Sequence, residues 1–191
     1  MGRTVAGVRE PIDAEYATVG ALLLAPGELQ QVAEWLRPGD FTQAVCGEVY
    51  DLVVRMTGNG QPVDPVTVLA ELRRQGRLRS DGYPTMELVR MVEEVPTPLS
   101  VGYYGRLVLE AAVFRRVEQA GTRLVQSGSS RRGEVDDVFR LIRDECRELL
   151  EVRRRYESAG SPAPPGGRAP DATLVRSSLL PDAAARGARL R

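Results

Sequence analysis

The sequence predicts an all-α protein: a compact bundle of short helices, then a long antiparallel helical hairpin, then a disordered tail. Three observations predict it. Apolar residues recur at intervals of three and four in segment after segment, the period of one helix face. β-branched alternation over strand lengths is absent, so no sheet is expected. Proline and glycine fall between the periodic segments and punctuate them. The 191 residues make one domain or slightly more, and a 42% hydrophobic content can bury a real core.

Residues 1–12 read as a flexible leader, followed by a helical bundle over 13–99. Asp13 opens a helix containing Ala14, Ala17, Leu22 and Leu24, and Pro26-Gly27 ends it. A short helix is expected from Glu28 to Leu36, with Leu29, Val32, Ala33 and Leu36 at helical spacing. Its single Trp, Trp35, is expected in the core. Pro38-Gly39 breaks that helix, and Asp40 is placed to cap the next. Across Phe41 to Met56, the residues Val45, Val49, Leu52, Val53 and Met56 share one face. Gly58-Asn59-Gly60 is a turn. In GQPVDPVTVLAELRRQGRL (Gly60 to Leu78), Asp64 suits the cap, Pro65 the first helical position and Gly76 the left-handed exit. Val66, Leu69, Ala70 and Leu72 are expected on its buried side. A turn at Ser80 to Pro84 leads to a helix from Thr85 to Glu94, which Pro96 and Pro98 stop.

The hairpin is expected over 100–156. Its first helix runs from Ser100 to Ser127, with Leu107, Val108, Val113, Phe114, Val117, Ala120, Leu124 and Val125 on a broad face. Gly128 to Gly133 is the hinge. The second helix runs from Glu134 to Tyr156, with Val135, Val138, Ile142, Cys146, Leu149 and Val152 in step. Each is on the order of 35 Å long, more than a small globule covers. Residues 157–191 form a Pro/Gly-rich linker and a basic tail.

Composition excludes more than it assigns. The chain has 26 basic and 26 acidic residues, so no global field points to nucleic acid. Charge is uneven, net −4 over residues 1–120 and +4 over 121–191. Without His, the usual triad base and His-containing zinc sites are missing. All basic residues are Arg, so the GxxxxGK[ST] phosphate loop is absent and ATP hydrolysis is not expected. Cys46 and Cys146 form no CxxC, and both are expected as small buried apolar residues. Adjacent carboxylates such as Glu93-Glu94 and Asp136-Asp137 diverge on a helix surface, so no acid/base pair forms. No catalytic, cofactor or metal residues are expected. The longest early apolar run, Val19 to Ala25, is too short for a membrane span, and a cytoplasmic protein is expected.

Four segments, DAEYATVGALLL, LRPGDFTQAVCGEVYDLV, GQPVDPVTVLAELRRQGRL and YYGRLVLEAAVFRRV, occur in this order within residues 13–125. In order and spacing they resemble the N-terminal domain of the bacterial replicative DNA helicase, the DnaB family. Asp81-Gly82-Tyr83-Pro84 departs from the family's Gly-Gly pair and aromatic-Leu step at that point. The helicase-binding domain of primase has a similar bundle-plus-hairpin build. The GDF and PVD segments, with a linker after the hairpin, favour the helicase side. The resemblance implies a non-catalytic collar-type module of DNA replication that pairs through its hairpins and meets primase or the helicase motor.

Two sets of residues carry that expectation. Val113, Val117, Leu124, Val138, Ile142 and Leu149 are the expected homo-oligomer interface. Arg115, Arg116, Arg131 and Arg132 are the expected partner surface; otherwise they form a solvated face paired with Glu118, Glu134 and Asp137. Leu174, Val175, Leu179 and Leu180 would dock on a partner as linkers of the family do. Arg186, Arg189 and Arg191 would give DNA only weak, salt-sensitive attraction. The alternatives are a collar acting in trans, a regulator or decoy of the host helicase or primase, and a DNA-binding protein using the basic C-terminal half.

Overall fold

The computed structural model describes residues 11–76, 85–130 and 134–160. Six α-helices follow one another: α1 (Pro11–Leu24), α2 (Ala44–Gly58), α3 (Pro65–Arg74), α4 (Thr85–Glu93), α5 (Val101–Ser130) and α6 (Val135–Ser158). Short 3-10 turns occupy Pro26–Gln31, Pro38–Asp40 and Pro98–Ser100. No strand occurs among the described residues. The all-α bundle and hairpin therefore stand as expected. Of the expected leader over residues 1–12, the last two positions belong to α1; its first ten residues, the turn at Ser80–Pro84 and the tail beyond Gly160 lie outside the described residues.

α1 is the central element. It packs against α2, α4 and α5, and Ala14, Ala17, Val19, Ala21, Leu22 and Leu23 are all buried. Each fully buried leucine or valine contributes roughly 1.5–3 kcal/mol. Its two buried polar side chains are satisfied. Thr18 Oγ1 donates to the Ala14 carbonyl at 2.6 Å. The Glu15 carboxylate accepts from the backbone N–H groups of Thr42 and Gln43 at 2.7 and 2.8 Å. A Cβ on Gly20 would lie 1.9 Å from the Met91 carbonyl oxygen, so only glycine lets α4 approach this closely.

α2 buries Val45, Val49, Leu52, Val53 and Met56 along the face that the spacing predicts. α3 is capped as predicted. The Asp64 carboxylate accepts from the N–H groups of Val66 and Thr67, and Gly76 takes φ 69° at the exit. Trp35 is buried.

Four local expectations are corrected. Glu28 to Leu36 is a 3-10 turn followed by looser turns, and the Arg37 guanidinium takes the carbonyls of Ala33, Glu34 and Leu36 at its end. Asp40 does not cap α2; it accepts from the Arg37 N–H and turns inward, while Glu15 serves the N–H groups at the entry to α2. On α3 the buried row is Val68 and Leu72, while Val66, in the first turn, is 76% exposed and Ala70 is also exposed. Cys146 is exposed, whereas Cys46 is buried with its thiol pushed up by desolvation.

Candidate functional site

The hairpin starts from a tightly held base. Val101, Tyr104, Val108, Leu109 and Ala112 bury the first three turns of α5 against α1 and the turn at residues 26–36. Gly105 admits the Trp35 ring, which lies 3.1 Å from where a Cβ would sit. From Val113 onward the burial of α5 falls away.

The end of α6 is clamped to this base by polar side chains. Arg155 donates to both carboxylate oxygens of Asp40, at 2.5 and 3.0 Å, and to the Trp35 carbonyl at 3.0 Å. Both members of the Asp40–Arg155 pair are nearly excluded from solvent. Arg115 on α5 binds the same loop, donating to the Asp40 carbonyl at 2.8 Å and to Thr42 Oγ1 at 2.5 Å. A second group lies across the hairpin. The Arg106 guanidinium sits 3.6 Å from the Tyr156 ring centre and donates to the Tyr156 carbonyl. The Tyr156 hydroxyl donates to Glu110 at 2.9 Å. Cation–π contact and charge-assisted hydrogen bonds thus act on one turn of α6.

Further out, the seam of the hairpin is small and polar. Ala120 and Glu145 are buried there, and Arg123 donates to both Glu145 oxygens at 2.5 and 2.7 Å. The Arg123 guanidinium holds the Glu145 carboxyl below its usual range. Arg116 pairs with Glu148 across the two helices. Such a seam leaves apolar side chains on the outside.

The six expected interface residues lie on α5 and α6, Val113 beside the clamp and the other five beyond it. Val113, Leu124, Val138 and Leu149 are half-buried by the hairpin itself. Val117 is 53% exposed and Ile142 39%. The exposed aromatics Phe114, at 61%, and Phe139 extend this apolar surface, and sequence periodicity alone did not single out Phe139. Arg115 faces inward to the loop, Arg116 to Glu148, and Arg131 and Arg132 lie outside the described residues. The sequence pairing with Glu118, Glu134 and Asp137 does not form for Arg115 and Arg116. Asp137 instead pairs with Arg140 and closes the capping box of Glu134 at the start of α6. Among the described residues no group of three or more His, Cys, Asp or Glu is placed to hold a metal ion. No described helix is long and apolar enough to cross a membrane.

The family model for the DnaB-like helicase N terminal domain matches residues 9–110. The replicative DNA helicase DnaB of Mycobacterium leprae is 37% identical over 146 residues, covering 75% of this chain and 24% of that protein. DnaB of Geobacillus stearothermophilus is 36% identical over 150 residues, covering 78% and 32%. The chain thus spans about a quarter to a third of the length of these relatives. The crystal structure of the N-terminal domain of DnaB helicase from Mycobacterium tuberculosis superposes with a TM-score of 0.65 at 39% identity, covering 72% of this chain and 96% of that one. A DnaB-like replicative helicase described with its interactions with primase matches at TM-score 0.53 and 18% identity, a likeness of fold.

Proposed function

The chain belongs to the family of DnaB-like helicase N-terminal domains, and from that premise we propose that it is a non-catalytic interaction module of DNA replication. The hairpin pairs with the hairpin of a second copy, and the resulting dimer or ring of dimers receives the helicase-binding domain of a primase. The observation that carries this reading is the distal hairpin: Val117, Ile142, Phe114 and Phe139 remain exposed on a pair of helices whose own seam is closed by Ala120, Arg123 and Glu145. Apolar side chains gathered on one projecting element gain most by burial against a matching surface. Self-pairing by a two-fold axis supplies such a match at no cost in new sequence.

Val113, Val117, Leu124, Val138, Ile142 and Leu149 form the proposed oligomer interface. Arg116, with Arg131 and Arg132, provides the charged partner surface, and Arg115 steadies the loop beside it. Action in the cytoplasm, where replication proteins work, accords with this role. A replicative relative described with primase supports primase as the partner class.

Size-exclusion chromatography with light scattering, on the protein alone and mixed with primase from the same organism, tests the proposal. A dimer or larger ring that co-elutes with primase is expected. A monomer that ignores primase would overturn it.

A further inference from the structure

A second feature of the hairpin lies on the flank facing the bundle. Between the loop after Trp35, the middle of α5 and the second half of α6 is a cleft of about 710 Å³. Six of its lining residues are arginines, against three carboxylates. We infer that this cleft is a binding site for a phosphate-bearing small molecule of nucleotide size.

The lining divides by task. Arg37, Arg115 and Arg155 are fixed from behind by backbone carbonyls, and by Asp40 in the case of Arg155. The Asp40 carboxylate neutralises Arg155, so Arg37 and Arg115 set the positive floor, and none of the three needs to move. Arg116 faces the cleft from α5, and Arg147 and Arg154, two turns apart on α6, face it from the opposite side. Their present partners are surface carboxylates: Glu148 for Arg116, Asp144 for Arg147 at 3.0 Å, and Glu151 for Arg154 at 3.7 Å. Exposed pairs of this kind hold weakly. A ligand with several phosphate oxygens can therefore draw the guanidinium groups inward at little cost.

Three properties favour phosphate over other anions. Guanidinium forks bind phosphate oxygens two at a time, and here arginines line the cleft from both α5 and α6. The volume matches the 300–1,000 Å³ typical of small-molecule sites. No aromatic side chain lines the cleft, so there is no platform for stacking successive bases of a strand. The apolar lining, Ala112, Leu150 and Val152, is small and offers little to anchor a peptide.

The site is separate from the proposed oligomer interface. Arg147 and Arg154 belong to neither the pairing nor the partner set, which makes them the useful positions to change. Isothermal titration calorimetry on the full chain, at low salt, would use three probes: inorganic pyrophosphate, a magnesium-free nucleoside triphosphate, and a ten-nucleotide oligothymidylate. Pyrophosphate and the triphosphate are expected to bind one per chain. The double variant R147A/R154A should weaken both by about tenfold or more, the effect of losing one or two charge-assisted hydrogen bonds. R140A, on the same helix but outside the cleft, should bind normally. Circular dichroism checks that each variant keeps its helices. Absent binding of both small probes, undiminished binding by the double variant, or binding of the oligonucleotide alone would each overturn the proposal.

Discussion

Arg155 and Arg153 lie two positions apart on α6 and show how differently two ion pairs weigh. Arg155 meets Asp40 with both side chains almost dry, while Arg153 and Glu157 are each more than half exposed. Removing one member of a buried pair strands the other, at a cost of roughly 3–5 kcal/mol. An exposed pair contributes about 0–1 kcal/mol. R155A should therefore lower the urea midpoint sharply, and R153A should leave it within about 0.5 kcal/mol of the parent. Equal effects would show that the clamp is solvated. Two carboxyls give a pH prediction. Arg74, then Gln75, hold Glu71 down to about 2, and Arg123 holds Glu145 below its usual range. Carboxyls depressed in the folded state stabilise it fully above their ordinary range, near 4.5, and that stability is lost as pH falls towards 2. The melting temperature of the parent should fall more steeply from pH 5 to pH 2.5 than that of R74A/R123A. Parallel curves would argue against these pairs.

At the scale of the element, helix ends and faces were more legible than contacts. Asp64, Pro65 and Gly76 punctuate α3 as their chemistry dictates, because capping is a local affair. D64A should cost about 1 kcal/mol in chemical denaturation. The row of α2 was legible for a similar reason, since one strong stripe has one place to go. The turn at Glu28 to Leu36 was not, since apolar residues three and four apart fit one face of a 3-10 turn nearly as well as one of an α-helix. The inward turn of Asp40 escaped too, because its partner is 115 positions away. Gly20 shows the same limit. In a helix, Gly to Ala gains about 1 kcal/mol by propensity. Here the added Cβ meets a backbone oxygen that cannot step aside. Overpacking costs about 1–3 kcal/mol or more, so G20A should lower the melting temperature. A rise would mean that α4 can move away freely.

For the whole molecule, the hairpin's length was legible, and so were the positions of its apolar stripe. How the stripe is shared was not. Spacing placed Val117 and Ile142 on the stripe expected to meet a second copy, but it carried no sign that Arg123 and Glu145 would occupy the seam between the two helices. A charged pair at a seam has no signature beyond two common residues on two helices. If Val117 and Ile142 pair between copies, V117E/I142E should give a monomer in light scattering while retaining its helical circular dichroism. An unchanged mass would place the pairing elsewhere.

The clamp also has a mechanical meaning. Arg155 and Tyr156 lie in the last turns of α6, beside Gly160, so tension applied at that end is borne first by Asp40, Arg106 and the Trp35 carbonyl. These bonds tie the end of the hairpin to the loop at residues 35–40 and to the buried first turns of α5. A load entering there is carried as shear into the bundle, and the distal hairpin stays slack. The distal turns of α5 and α6 can accordingly keep a grip on another surface while the opposite end is pulled.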